Sequence, residues 1–374
     1  MAGLYIHVPF CKTRCHYCNF YSMASVKFKP MFVDKLLEEI RIQKDYLGED
    51  SLGSIYFGGG TPSLLSEGEL NNIFDEIFRT FNISEEAEIT LEANPDDIDR
   101  KWTEELLNTP VNRISMGVQS FHDVNLQYLH RIHTASEAMN AIKLLQDAGV
   151  ENLTIDLIYG IPGLTNAMWE DNLISFFELS IPHLSAYALT VEEKTPLHVN
   201  IKKGKIVAPE EIESIEHFKT LISLTEAREY IHYEISNFAL EGHYSNHNSI
   251  YWTGGHYLGL GPSAHSFNGH SRRWNKPSVK TWLDMNDHYE ESFEEEVLSM
   301  DQRYNEYVMT SLRTIWGCDI TLVQHEFGEN YGRHLQKEAS NHITTGKLEK
   351  RNNRLYLSSK GKLFADGIAS DLFI

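Results

Sequence analysis

Leu4-Tyr5-Ile6-His7-Val8-Pro9-Phe10-Cys11-Lys12-Thr13-Arg14-Cys15-His16-Tyr17-Cys18 runs from a short apolar strand into three cysteines spaced C-x3-C-x2-C. Three thiolates at that spacing can wrap a [4Fe–4S] cube while ligating only three of its irons, which leaves the fourth open to a ligand that is not protein. Completed by His7 or His16, the same triple would instead make a four-ligand zinc site. The cysteines alone leave both alternatives standing.

Outward from this stretch, short apolar runs alternate with amphipathic ones for about 190 residues. Leu4–Val8, Ser54–Phe57, Glu88–Glu92, Arg113–Val118, Leu153–Tyr159 and Leu184–Leu189 read as strands. Met31–Gln43, Ala135–Ala148 and Trp169–Leu179 read as helices, and a further one is opened by Ser66 with Glu69 three residues on, a capping-box pattern. Six strand–helix units predict a parallel sheet with helices outside, curved into a partial (βα)6 barrel. The cysteines, Gly58-Gly59-Gly60-Thr61-Pro62, Glu92, Gln119 and Asp156 all lie on strands or just after them, and so should converge on the carboxyl-end face, where barrel active sites lie.

The alternation stops beyond about residue 205. A long helix is expected over Pro209–Arg228, then a Gly-, His- and aromatic-rich stretch from Tyr233 to Trp274, and two or three helices between Val279 and Ala339. A hairpin over Leu348–Leu357, turning at Asn352-Asn353, and a helix over Lys360–Leu372 close the chain. The expected fold is therefore α/β, a barrel domain over residues 1–235 and a mainly helical C-terminal domain with a short β-hairpin over 236–374. The latter resembles a winged helix, read here as a packing module.

Of 374 residues, 41% are hydrophobic and 23% charged, ordinary for a globular chain. Four cysteines, three of them in one motif, point to metal binding in a reducing compartment rather than to disulfides. Cys318, the fourth, reads as a buried small hydrophobe. The start has no signal-peptide pattern, and no apolar run reaches the roughly 18–20 residues that span a bilayer. A cytoplasmic location is expected, with peripheral membrane contact left open. With 53 acidic and 33 basic residues the net charge is −20, which disfavours nucleic acid as a partner.

The cysteine motif, with Tyr17 beside Cys18, resembles the radical S-adenosylmethionine (SAM) superfamily. Within it the chain is most similar to the oxygen-independent coproporphyrinogen III oxidases and their relatives, the HemW-type heme chaperones. The matching segments are Tyr5-Ile-His-Val-Pro-Phe-Cys11, Tyr56-Phe-Gly-Gly-Gly-Thr-Pro62, Leu91-Glu-Ala-Asn-Pro95, Arg113-Ile-Ser-Met-Gly-Val-Gln-Ser-Phe121, Leu129-His-Arg131 and Asp156-Leu-Ile-Tyr-Gly-Ile-Pro162. The resemblance implies that Cys11, Cys15 and Cys18 hold a [4Fe–4S] cluster whose open iron is chelated by SAM, and that an electron from the cluster cleaves the sulfonium to release a 5′-deoxyadenosyl radical. It further implies that Gly59, Gly60 and Thr61 hold the methionine amino group and Arg131 the carboxylate. By the same match Gln119 and Asp156 bind the ribose, Glu92 the ribose or amino group, Tyr5 lies over the cluster, and Tyr17 and Ala188 line SAM.

Three features separate the two relatives. Phe20 stands where the oxidases carry a fourth motif cysteine, the oxidases' N-terminal extension has no counterpart here, and His247-Asn-Ser-Ile-Tyr251-Trp252 matches the heme-associated H-N-x-x-Y-W segment. A heme chaperone is therefore expected, with His247 as axial ligand. Its implied partners are heme or a porphyrin, heme-accepting proteins and an electron donor, and homodimerisation is left open. Two alternatives are the oxidase, which would decarboxylate two propionates of coproporphyrinogen III, and a radical SAM enzyme for another substrate.

Overall fold

The six apolar runs expected as strands in the first 190 residues all form strands in the computed structural model, which describes residues 1–284 and 291–374. They are β1 (Ala2–Val8), β2 (Leu52–Gly59), β3 (Ile83–Ala93), β4 (Arg113–Gln119), β5 (Leu153–Tyr159) and β6 (His183–Ala188). They pair in sequence order and in parallel. Side chains alternate across the sheet with a period of two. Leu4, Ile6 and Val8 pack under the helices, and Tyr5 between them faces inward. On β4 the inward set is Arg113, Ser115, Gly117 and Gln119, and on β5 it is Thr154, Asp156 and Ile158.

The intervening helices follow from caps and buried stripes. Thr134 accepts from the Glu137 N–H while Glu137 returns to the Thr134 N–H, and Ala138, Ala141, Ile142 and Leu145 bury one face of Ala135–Asp147. Ser66 and Glu69 form the expected box on Glu67–Thr80. A cap contributes about 1 kcal/mol, whereas burying one Leu or Ile contributes about 1.5–3 kcal/mol. The apolar faces, more than the caps, hold these helices on the sheet.

The sheet continues where the sequence reading expected no strand. β7 (Ile231–Glu234) and β8 (Asn237–Ala239) join antiparallel beyond β6, so the expected 235/236 boundary falls in the turn between them. On the other side β9 (Tyr257–Leu260) runs parallel to β1, followed by antiparallel β10 (His265–Phe267), β11 (Ser271–Asn275) and β12 (Phe293–Val297). These strands have three to five residues, too short for hydrophobic periodicity to reveal.

A second core gathers Tyr304, Val308, Leu312, Cys318, Val323, Leu335, Leu355 and Ile368. Its helices are Met300–Leu312, Ile320–Glu326, Glu329–Thr344 and Ala365–Asp371. With Val279–Leu283, four helices among the described residues occupy the range where two or three were expected, part of which (285–290) lies outside those residues. β13 (Cys318–Asp319), β14 (Leu348–Arg351) and β15 (Arg354–Leu357) form a small antiparallel sheet. Asn352 and Asn353 turn the hairpin at φ of 47° and 60°, the left-handed pair that a two-residue type I′ loop requires. The expected closing helix splits into a 3-10 turn, Gly361–Phe364, and Ala365–Asp371.

Candidate functional site

A cavity of about 600 Å3 opens inside the barrel sheet, and every site residue singled out from the sequence lines it. Cys11, Cys15, Cys18 and Tyr17 come from the loop after β1, Gly59, Gly60 and Thr61 from the end of β2, and Glu92 and Gln119 from β3 and β4. Arg131 follows the helix Asp123–Leu129, Asp156 and Ala188 come from β5 and β6, Tyr5 from β1, and His247 from the helix Asn246–Trp252.

The cysteine loop is pinned at its ends. The Cys11 N–H donates to the Met23 carbonyl at 3.0 Å and the His16 N–H to the Leu129 carbonyl at 3.2 Å. Burial pushes the Cys11 and Cys18 thiols up, Cys18 to about 11, and Thr61 and Ser22 hydrogen-bond Cys11 against that trend. A metal would therefore have to displace those protons. Among the described residues no three His, Cys, Asp or Glu side chains converge on one ion. His7 is committed elsewhere, with Nδ1 to the Tyr5 hydroxyl at 3.2 Å and Nε2 to the Tyr21 carbonyl at 2.8 Å. This engagement counts against His7 as the fourth ligand of a zinc site. A cube binds its thiolates at separate irons, and a set of three cysteines on one cavity wall is the donor chemistry it takes.

The glycine run has a reason that the sequence did not show. A Cβ on Gly59, whose φ is +104°, would lie 2.5 Å from the His7 ring, and one on Gly60 2.6 Å from the Phe10 carbonyl oxygen. The bare backbone is needed to pack β2 against β1 as well as to line the cavity. Glu92 accepts from the Tyr56 hydroxyl at 2.8 Å and the Gly59 N–H at 3.2 Å. Burial raises its pKa to about 7, with Asp156 adding to the rise. Asp156 is raised by burial to about 6, opposed by its hydrogen bond to Ser185. Two carboxyl groups thus face the cavity with proton affinities near neutrality. Gln119 sits at φ of 70°, a conformation side chains seldom adopt, beside Gly117.

Arg131 is more deeply engaged than a solvent-facing carboxylate clamp. Its Nη2 donates to Asn94 Oδ1 and to the Gly117 carbonyl, both at 2.6 Å, and Nη1 approaches Cys15 Sγ at 3.4 Å. Asn94 donates in turn to Thr61 Oγ1 at 3.1 Å. Thr61, Asn94, Arg131 and Cys15 therefore form one connected chain across the cavity.

His247 also differs from the open ligand expected. It is buried, with Nδ1 hydrogen-bonded to Ser54 Oγ and Nε2 to the Tyr251 hydroxyl, both at 2.8 Å, and its ring stacks on Tyr56 at 4.9 Å. Neither ring nitrogen is free for iron in this conformation. Burial lowers its pKa to about 3, so the ring is neutral at physiological pH. Glu88 holds the helix that carries it, accepting from the Asn246 and His247 N–H groups at 3.0 Å each. Trp252 faces the other way, with the Arg313 guanidinium 5.4 Å over its ring.

Asn94, Tyr56 and Ser185 were not singled out from the sequence. Asn94 was within reach of it, since it lies two residues after Glu92, just past the end of β3 and inside a matching family segment. Tyr56 opens one of the matching family segments, whereas Ser185 has no signal beyond strand alternation.

A model described as "Radical SAM superfamily" matches residues 5–173, and one described as "HemN C-terminal domain" matches residues 298–364. A Bacillus subtilis (strain 168) protein named "Heme chaperone HemW" is 32% identical, over 98% of this chain and 98% of that protein. Its namesake in Lactococcus lactis subsp. lactis (strain IL1403) is 31% identical, over 96% of this chain and 93% of that one. Among solved structures, coproporphyrinogen III oxidase (HemN) from Escherichia coli superposes with a TM-score of 0.85 at 20% identity, covering 100% of this chain and 90% of its own. At that identity the likeness establishes the fold alone.

Proposed function

This chain belongs to the HemW family of radical SAM proteins, and from that footing we propose that it is a heme chaperone, which binds heme and hands it to acceptor proteins in the cytoplasm. Cys11, Cys15 and Cys18 hold a [4Fe–4S] cluster, and bound there the cluster supplies single electrons next to SAM. Glu92, Gln119 and Asp156 orient SAM through its hydroxyl and amino groups, and Gly59, Gly60 and Thr61 bound it on the β2 side. Tyr5, Tyr17 and Ala188 line the same space. Arg131, already at Cys15, places positive charge beside both the thiolates and the SAM carboxylate.

The observation that carries this reading is the place of the His247–Trp252 segment. His247 and Tyr251 share the cavity with the three cysteines, in a chain with full-length relatives named heme chaperones. Axial ligation by His247 uses one ring nitrogen, which must leave its partner, Tyr251 for Nε2 or Ser54 for Nδ1, a loss of one hydrogen bond of about 1 kcal/mol. The neutral imidazole has no proton to lose before it binds iron.

The second reading is the oxidase, because coproporphyrinogen III oxidase shares the whole fold. One experiment separates them. Anaerobically reconstituted protein is titrated with heme and, in parallel, incubated with coproporphyrinogen III, SAM and a reductant. The chaperone binds heme saturably and leaves the porphyrinogen intact. Multiple-turnover decarboxylation would establish the oxidase instead.

A further inference from the structure

Asn94 follows β3 and opens the 3-10 turn Pro95–Asp97, a position where an Asn side chain commonly accepts a backbone N–H. It makes no such bond here. Both ends of its amide are turned to the cavity wall instead. Oδ1 accepts from Arg131 Nη2 at 2.6 Å, and Nδ2 donates to Thr61 Oγ1 at 3.1 Å. The reversed amide would set its N–H groups against those of the guanidinium, so the two partners fix its orientation.

Each partner reaches a cysteine. The Thr61 hydroxyl has one proton, and because its oxygen accepts from Asn94 that proton is left for Cys11, to which Thr61 is hydrogen-bonded. Arg131 Nη2 gives its protons to Asn94 Oδ1 and the Gly117 carbonyl, and this turns Nη1 toward Cys15 Sγ at 3.4 Å. The approach depends on glycine at 117, since a Cβ there would lie 3.2 Å from Arg131 Nη2 and 3.0 Å from Gln119 Nε2. Asn94 is therefore the middle of a bridge that runs from Cys11 through Thr61, Asn94 and Arg131 to Cys15, and it makes no contact with either sulfur itself.

Hydrogen bonds onto the sulfurs help set the reduction potential of an iron–sulfur cluster, and outer partners orient the groups that make them. Such bonds stabilise the form with more negative charge on sulfur, which is the reduced one. We propose that Asn94 is a positioning residue that raises the potential of the cluster, by holding the Thr61 hydroxyl on Cys11 and the Arg131 guanidinium on Cys15. The couple concerned adds one electron to the cluster, with no bond formed or broken and no proton moved. The proposal rests on the cluster assignment above.

The test is an anaerobic redox titration of reconstituted, SAM-free protein, for wild type, N94A and the nearly isosteric N94D. Dithionite and mediators set the potential, and electron paramagnetic resonance follows the reduced cluster. N94A withdraws the support of both sulfur contacts. In N94D the carboxylate has no N–H, so Thr61 turns its proton to it and Cys11 loses its donor. At the wild-type midpoint the ratio of reduced to oxidised cluster should fall at least about tenfold in N94A, about 59 mV for a one-electron couple. N94D should move the same way. A residue that only keeps the loop folded would lower the iron content and leave the midpoint of the remaining cluster where it was. An unmoved or raised midpoint in N94A would therefore overturn the proposal, and if N94A holds no iron, N94D decides by the same measure. Wild type that takes up no iron would remove the cluster reading and this proposal together, whereas an unmoved midpoint at full iron content would remove this proposal alone.

Discussion

Glu92 and Asp156 show how far single residues can be read before a fold is known. Their place was legible, because strand alternation and the family segments put them on one face. Their proton affinities were not, because these come from burial against groups distant in sequence. Glu92 rises from 4.5 to about 7 and Asp156 from 3.8 to about 6 in the fold. Both shifts are upward, so the folded state keeps protons that the unfolded chain has released. The stability each gives is full at pH below the unfolded values and is lost as pH rises through the folded ones. In cofactor-free protein E92Q and D156N should therefore gain on the wild type between about pH 4 and 7, by up to about 3 kcal/mol for Glu92. Denaturant titrations across that range check this, and a wild-type-to-variant difference that does not change with pH would contradict it. The cysteines make the second residue-scale prediction. Replacing Cys11, Cys15 and Cys18 with alanine should abolish the reconstituted cluster's absorbance and iron content, while Cys318→Ala, in a separate core, should leave both intact. Equal iron content in the triple variant would remove the cluster from this loop. The contacts of Arg131 with the Gly117 carbonyl and of His247 with Ser54 lay beyond sequence reasoning, since these groups meet only when the chain folds.

At the scale of elements, what was legible depended on length and on local chemistry. In the barrel, strands of six residues or more and helices of thirteen or more were found, because their signals are internal, whereas the seven-residue helices Arg100–Leu106 and Asn246–Trp252 were not, although capped. The hairpin turn at Asn352-Asn353 was found for the same reason, since two left-handed residues in a row select for Asn or Gly. Asn352, exposed and at φ of 47°, tests that reasoning. Asn352→Gly should be close to neutral, whereas Asn352→Val should destabilise the C-terminal unit by about 1–2 kcal/mol. Equilibrium unfolding of the two variants checks the pair, and equal stabilities would contradict the turn assignment. β9 to β12 escaped notice because three to five residues carry no period. β9 is placed by β1, hundreds of residues away, and β10 to β12 then add by antiparallel pairing, each on the strand before it.

For the molecule as a whole, the partial barrel followed from six repeated units, but its seventh parallel strand did not, because β9 arrives after the alternation has ended. That late return has a consequence for function. It brings the chain around β1 and sets the helix Asn246–Trp252 against the cavity, with His247 and Tyr251 inside it and Trp252 under Arg313 of the C-terminal unit. The segment from His247 to Trp252 thus reaches from the barrel cavity to the C-terminal unit. Among the described residues no helix is long and apolar enough to cross a membrane. The most direct measurement of the central claim is an optical heme titration of the wild type and of His247→Ala. The account predicts saturable binding of heme to the wild type, and in the variant a displaced Soret band or an affinity lowered about tenfold or more. An unchanged band and affinity in His247→Ala, or no saturable binding by the wild type, would contradict it.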